Sequence, residues 1–264
     1  MSDQRLIDAV IELSRVMADL RAKCPWDAAQ THQSLRRYLI EECHEVLDAL
    51  DREDPNGLQG ELGDLLFQIW FHAEVASEGV ADRGLASIIE QVTEKLTRRH
   101  PHVFGGAPID DAAAVKKDWE SLKQSEGVGR ESRLDGVPPL IPALLGAQCL
   151  QEKAASVGFD WEDVNDVLAK IEEEIGELRQ ELGDEGKSAR RQHEFGDVLL
   201  SLVNLGRHLG ITAEDALREA NTRFTSRFQF IEQSAIASGR TIADLTLAEM
   251  EAFWQLAKER SDEG

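Results

Sequence analysis

Pairs of carboxylate residues at helical spacing are the residues of this chain best suited to chemistry. Glu42 and Glu45 are three positions apart, and so are Glu61 and Asp64. Residues three apart on an α-helix project from nearly the same side, so each pair presents two carboxylates together. Carboxylate oxygens are the ligands that hard divalent cations such as magnesium prefer. The spacing therefore predicts a site for such a cation.

The same two pairs recur in the second half of the chain. Glu174 and Glu177 repeat the first pair 132 positions later, and Glu194 with Asp197 repeats the second pair 133 positions later. Self-similarity at a nearly fixed offset indicates an internal duplication. Basic and aromatic residues recur at similar offsets, and the matched sets are Lys95, Arg99 and Trp119 in the first half and Arg223, Arg227 and Trp254 in the second.

The carboxylates lie on the apolar stripes of their predicted helices, where an ordinary solvated acidic residue is not expected. Glu42, for example, lies between Leu39 and Val46 at helical spacing. The short connection from Asp51 to Gly57 predicts antiparallel helices whose four carboxylates face one another. Desolvating such groups costs on the order of several kcal/mol per unpaired ion, and a bound cation removes that cost.

The elements that must position these carboxylates are helices. Apolar residues recur at spacings of three and four along nearly the whole chain, and convincing strand patterns are absent. The predicted helices cover about 4–21, 31–51, 57–78, 83–99, 110–125, 142–156, 164–182, 188–209, 213–236 and 242–260. We therefore predict an all-α fold of two tandem helical-bundle domains, 1–126 and 142–264, joined by a Gly- and Pro-containing linker over 127–141.

The composition narrows the possible partners and location. The 264 residues carry a formal net charge of −21, which argues against direct binding to nucleic acid, because that needs clustered basic residues. No apolar run approaches the roughly 20 residues that span a bilayer, and the N-terminus lacks the features of a signal peptide. We therefore expect a cytoplasmic protein without membrane association, whose three cysteines are reduced.

Taken together, these motifs resemble the MazG family of nucleoside triphosphate pyrophosphohydrolases, in the all-α NTP pyrophosphatase superfamily. The resemblance spans nearly the whole chain. It includes four further stretches, CPWD at 24–27, RRHPHVF at 98–104, VGFDW at 157–161 and NTRFTSRF at 221–228. It implies tandem MazG-type domains, a homodimer and magnesium dependence, with manganese as the substitute ion. It also implies broad hydrolysis of ribo- and deoxyribonucleoside triphosphates to monophosphate and pyrophosphate, in the control of nucleotide pools or in house-cleaning of nucleotides.

The resemblance also implies roles for individual residues. In the second half, the implied magnesium ligands are Glu174, Glu177, Glu194 and Asp197, and the implied nucleotide contacts are Arg223, Arg227 and Trp254. The repeat extends these expectations to the first half, with Glu42, Glu45, Glu61 and Asp64 as metal ligands and Lys95, Arg99 and Trp119 as substrate contacts. For the basic residues an alternative is interaction with the helix dipole, and for the tryptophans it is ordinary packing. Glu41 and Glu173 precede the first ligand of each copy and are candidate general bases.

The two copies differ in basic residues near the second carboxylate pair. Arg190 and Arg191 precede Glu194, whereas no basic residue occupies the stretch 57–60 before Glu61. Because such a side chain can reach a phosphate group, we expect the second copy to be the stronger catalyst. The first copy is then weaker, differently selective or mainly structural.

Two other classes of function are compatible with parts of this pattern. A di-iron carboxylate protein would use Glu-x-x-His motifs, of which Glu41 and His44 supply one, but Gly176 replaces the histidine in the second copy. A non-catalytic acidic helical regulator or scaffold with a vestigial nucleotide site would also fit the net charge. The repetition of eight carboxylates at ligand spacing favours the enzyme.

Overall fold

Helices form nearly all of the regular structure in the computed structural model, which describes residues 2–80, 83–106, 111, 115, 119, 122, 131–182 and 188–262. Within these ranges the remaining residues form turns, bends and a short 3-10 helix, and no β-strand occurs. The predicted all-α class is therefore confirmed. The chain divides into two units, Met1–Lys123 and Gln124–Gly264.

The first unit is built around a hairpin of two long helices. Its described helices are α1 (Ser2–Lys23), α2 (Pro25–Ala28), α3 (His32–Asp51), α4 (Pro55–Gly79), α5 (Leu85–Arg99) and α6 (Pro101–Phe104). Thr31 caps α3 by accepting a hydrogen bond from the Ser34 amide at 3.2 Å. Asp54 caps α4 by accepting hydrogen bonds from the amides of Asn56 and Gly57 at 3.1 and 3.0 Å. These caps fix where the two helices that carry the first set of carboxylates begin.

The core of the first unit lies between α1, α3 and α4. Met17, Leu35, Trp70 and Phe71 form one buried cluster, in which Met17, Leu35 and Phe71 have no exposed surface. Burial of such side chains contributes about 1.5–3 kcal/mol each. This cluster holds the α3–α4 hairpin in place.

The second unit repeats the hairpin. Its described helices are α7 (Ala143–Ala155), α8 (Val164–Glu181), α9 (Ser188–His208), α10 (Ala213–Ala237) and α11 (Leu247–Asp262), with a 3-10 helix at Ile242–Asp244. Asp163 caps α8 by accepting a hydrogen bond from the Asn165 amide at 2.8 Å. Helix α9 packs on α8 and α7, while α10 packs on α11 around buried Ile231 and Ala235.

Several helix boundaries differ from the predicted ones. Helix α11 begins at Leu247 and not near 242, because Thr241 and Asp244 form a capping box around the 3-10 helix. The short helices α2 and α6 were not predicted, since four residues are too few to show a helical period. The predicted helix at 110–125 lies mostly outside the described residues, as do 127–130 of the predicted linker. The linker over 127–141 stays a prediction.

None of the helices in the described part of the chain combines the length and apolar character that a bilayer-spanning segment requires.

Candidate metal and nucleotide site

Helices α8 and α9 bring three carboxylates of the second unit together. Glu174 and Glu177 on α8 and Glu194 on α9 each place one oxygen within 4.8 Å of the other two. Glu174 is only 7% exposed, although it carries an ionisable group. Oxygen atoms from two helices converging at this distance form a donor set that fits a hard divalent cation.

The charges in this cluster influence one another. Burial raises the pKa of Glu177, and the neighbouring charges of Glu174 and Glu194 raise it further, while Lys170 opposes the shift. Lys170 lies one turn before Glu174 and places its Nζ 2.8 Å from that carboxylate and 2.9 Å from Glu173. These hydrogen bonds raise the pKa of Lys170, so its protonated side chain balances part of the negative charge of the cluster.

Asp197, the fourth predicted ligand, lies one turn beyond His193. The Nδ1 atom of His193 is 2.9 Å from Asp197 and 3.8 Å from Glu194. These three residues form a second group whose ligand atoms lie within 4.8 Å of one another, and the two groups share Glu194. The structure therefore joins all four predicted ligands of the second unit through Glu194.

The α3–α4 hairpin forms the corresponding cluster in the first unit. Glu42, Glu45 and Glu61 place one oxygen each within 4.8 Å of one another, and Asp64 lies outside this group. Burial raises the pKa of Glu42, and the charges of Glu45, Asp64 and Glu41 raise it further. Burial and the charges of Glu45 and Asp64 likewise raise the pKa of Glu61. Mutual repulsion among these carboxylates is the arrangement that a cation relieves.

Two of the predicted arginine contacts lie beside predicted tryptophan contacts. The guanidinium carbon of Arg99 lies 5.7 Å from the centre of the Trp119 ring, and that of Arg227 lies 5.7 Å from the Trp254 ring. These distances permit cation–π attraction. Trp254 also contacts Phe224, with ring centres 5.3 Å apart, so packing holds at least this tryptophan in place.

The other predicted site residues lie at the surface and take different partners. Arg223 pairs with Glu219 at 3.5 Å, and Arg190 lies 3.9 Å from Glu181. Lys95 and Glu41 are exposed, and the carboxylate of Glu173 is occupied by Lys170.

Lys170 and His193 belong to the site although the repeat pattern did not indicate them. Each lies four residues before a predicted ligand, Glu174 or Asp197, which is a signal visible in the sequence. The first copy has Tyr38 and Gly60 at the corresponding positions. A search for residues shared by the two copies therefore passes over both.

The di-iron alternative gains no support from the arrangement of the side chains. His44 is exposed, and among the described residues it joins no group of three that could hold a metal.

Comparisons with known proteins identify the family to which the chain belongs. A family model described as the MazG nucleotide pyrophosphohydrolase domain matches residues 30–104. A Thermotoga maritima protein named nucleoside triphosphate pyrophosphohydrolase/pyrophosphatase MazG is 42% identical over 251 residues, which cover 94% of each chain. An Escherichia coli K12 protein named nucleoside triphosphate pyrophosphohydrolase is 41% identical over 259 residues, covering 96% of this chain and 97% of its own. The paired carboxylate hairpins and these similarities together show that the chain is a member of the MazG family.

Proposed function

We propose that this protein hydrolyses nucleoside triphosphates to nucleoside monophosphate and pyrophosphate, with magnesium bound by the carboxylates of the second unit. Broad base specificity and a role in controlling nucleotide pools are part of the proposal. Family membership supports the reaction class, and the names of the relatives from T. maritima and E. coli supply the substrate class.

The observation that carries the proposal is the convergence of Glu174, Glu177 and Glu194. Three carboxylate oxygens within 4.8 Å of one another, one of them on a side chain that is 7% exposed, are unfavourable without a compensating cation. Lys170 supplies part of that compensation in the metal-free protein. Oxygen-only donors fit magnesium, and manganese accepts the same ligands.

In the second unit, the acidic side chains would bind the metal and the basic side chains would bind the phosphate groups. Glu174, Glu177, Glu194 and Asp197 would hold magnesium, which when bound neutralises phosphate charge and lowers the pKa of coordinated water. The guanidinium groups of Arg190, Arg223 and Arg227 would bind phosphate oxygens and stabilise charge on the departing pyrophosphate. Glu173 is the candidate base once Lys170 releases it.

The second unit is proposed as the principal catalytic copy. Lys170 and His193 adjoin its carboxylates, whereas Tyr38 and Gly60 occupy the matching positions of the first unit. A phosphate chain that approaches the second cluster would therefore meet an ammonium group and an imidazole ring that are absent from the matching positions of the first. Glu41, Lys95, Arg99 and Trp119 would serve a weaker, differently selective or structural first site.

A homodimer is proposed as the functional form. Helices α4 and α9 each have an exposed apolar stripe. The stripe residues are 39–54% exposed, and they are Leu62, Leu66 and Ile69 on α4 and Phe195, Leu199 and Leu202 on α9. Contiguous exposed apolar surface of this kind is typical of protein interfaces. A cytoplasmic location and the absence of direct nucleic-acid binding complete the proposal.

One experiment tests the reaction directly. The purified protein is incubated with a panel of ribo- and deoxyribonucleoside triphosphates, with magnesium, with manganese or with EDTA, and the products are separated by anion exchange. We expect monophosphate and pyrophosphate in equal amounts, formed only with added metal. Diphosphate and orthophosphate would contradict the reaction, and no product from any substrate would favour the non-catalytic regulator.

A further inference from the structure

A cavity of about 190 Å³ adjoins the carboxylate cluster of the second unit. Glu174 and Asp197 line the part nearest the cluster, while Phe159 and Trp161 contribute aromatic surface. The cavity therefore continues from the acidic groups, which suit a metal–phosphate complex, to walls that suit a flat, largely apolar group. Binding sites of this composition usually use a few polar atoms to orient the ligand.

Two such polar atoms are present and lack partners. The Oε1 atom of Gln151 and the Nε atom of Arg207 are buried, and neither forms a hydrogen bond in the structure. Both residues line the cavity. A buried polar atom without a partner is destabilising, so these two atoms indicate that a ligand group belongs beside them.

The hydrogen bonds around the cavity determine which atom of the Gln151 side chain is available to a ligand. Its Nε2 atom donates to the Leu200 carbonyl oxygen at 2.8 Å, which leaves Oε1 as the unpaired acceptor. Arg207 is held by Asp160 at 2.8 Å and by Asn204 at 2.6 Å. Burial raises the pKa of Asp160, but hydrogen bonds from Arg207 and His208 outweigh it and keep the pKa below its ordinary value. The wall is thus ordered before a ligand arrives.

The first unit has larger side chains at two of the corresponding positions. Ser201 and Asn204 line the cavity of the second unit, and 133 positions earlier stand Gln68 and Phe71. Phe71 has no exposed surface and Gln68 is 5% exposed, and Phe71 belongs to the core of its unit. Larger buried residues thus occupy in the first copy the positions that border open space in the second.

We propose that this cavity holds the base of the nucleoside triphosphate, an assignment that rests on the proposed function. The base lies against Phe159 and Trp161, and Gln151 Oε1 accepts a hydrogen bond from one of its N–H groups. Adenine, guanine and cytosine carry amino donors, and uracil and thymine carry an imide N–H, so a single acceptor selects weakly among bases. The pocket thus provides affinity for nucleosides with little discrimination among their bases.

The test separates the base from the phosphates. Calorimetry measures the binding of two ligands, α,β-methylene-ATP and inorganic tripolyphosphate, each with magnesium. The proteins are wild type, Gln151→Leu and the double variant Ser201→Gln/Asn204→Phe. The double variant introduces the residues of the first unit. We expect about fivefold to tenfold weaker binding of the nucleotide analogue to Gln151→Leu and at least about tenfold weaker binding to the double variant. Tripolyphosphate binding should stay within about twofold of wild type.

Gln148→Leu is the matched control, because Gln148 lies on the same helix and does not line the cavity. Circular dichroism shows whether each variant folds, and Gln151→Leu decides alone if the double variant does not. Unchanged affinity for the nucleotide analogue, or an equal loss for both ligands, overturns the assignment. If wild type binds the analogue more tightly than tripolyphosphate but hydrolyses no triphosphate, the proposed reaction is wrong and the assignment of the pocket to the base is retained.

Discussion

Lys170 places a positive charge beside the carboxylates of the second unit. Its ammonium group lies within 3 Å of two carboxylates, and one of these, the Glu174 side chain, is 9% exposed. A magnesium ion bound by the same carboxylate, as proposed, would compete with the lysine, which also lines the cavity. Under that proposal the ammonium group of Lys170 would be released from Glu174 and could bind a phosphate oxygen.

Replacing Lys170 with Met should destabilise the metal-free protein. The change leaves Glu174 buried without its cation, but Lys170 is itself 32% exposed, so the loss should be about 1–2 kcal/mol and not the larger value of a fully buried pair. Urea unfolding in EDTA measures this, and added magnesium should reduce the difference. Lys23→Met is the control: it removes the ion pair between Lys23, which is 71% exposed, and Asp19. It should lower the free energy of unfolding by less than about 0.5 kcal/mol. Equal losses for the two variants would contradict the explanation.

Ionisation of Glu249 should make the stability of the folded protein depend on pH. Arg240 binds its carboxylate at 2.5 Å, and the amide and hydroxyl groups of Thr246 donate to it, which lowers the pKa of Glu249 to about 2. A depressed pKa in the folded state stabilises the protein above the unfolded-state value of 4.5, and this contribution is lost as the pH falls toward 2. Glu249→Gln should therefore lower the melting temperature at pH 7, and the difference from wild type should shrink below pH 4.5. A difference independent of pH would show that charge is not the cause.

At the scale of elements, the start of α4 determines where Glu61 lies. Asp54 caps this helix, and Gly57 lies so close to the cap that a Cβ atom there would be 2.5 Å from Asp54 Oδ2. The cap thus requires a small residue at position 57. The lack of a basic residue before Glu61 therefore has a partly structural reason.

Asp54→Ala should cost about 0.5–2 kcal/mol of stability, because two helix amides lose their acceptor. Asp54→Asn should cost much less, since asparagine caps helices about as well as aspartate. Thermal unfolding of both variants gives the comparison. If Ala and Asn are equally destabilising, the negative charge of Asp54 matters and its cap does not.

Across the whole molecule, the two units share a helical hairpin and differ in the side chains around it. Both have a carboxylate cluster, and the cavity described above lies in the second unit. Duplication therefore preserves the hairpin while side chains around it diverge.

Glu174→Gln should lower kcat at least about 100-fold, whereas Glu42→Gln should change it less than about threefold. The reason is that both variants lose a carboxylate of a metal cluster, but only Glu174 also borders the cavity. Steady-state kinetics at saturating magnesium measure the two effects. Glu172→Gln is the control, because Glu172 is an exposed acidic residue on the same helix. Comparable losses for Glu174→Gln and Glu42→Gln would show that both units contribute to turnover.

The sequence was sufficient for the helices and the carboxylate pairs because both follow from local periodicity. Glu174 and Glu194 could be placed opposite each other since a short connection forces two helices to pair. The cavity could not be predicted, because it depends on the volumes of Ala154, Ser201 and Asn204, side chains from two helices that meet only after folding. Lys170 was missed for a different reason: it distinguishes the copies, and the repeat reveals only what they share.

The residues that correspond to Ser201 and Asn204 give the first unit packing of its own. Phe71 has no exposed surface and belongs to the core, and loss of such a buried aromatic side chain typically costs about 3–5 kcal/mol. A nucleotide base bound in the second unit, as proposed, would bury surface there only while it is bound. Because a ligand that binds the folded form alone raises its stability by mass action, the stability of the second unit would then depend on the nucleotide concentration.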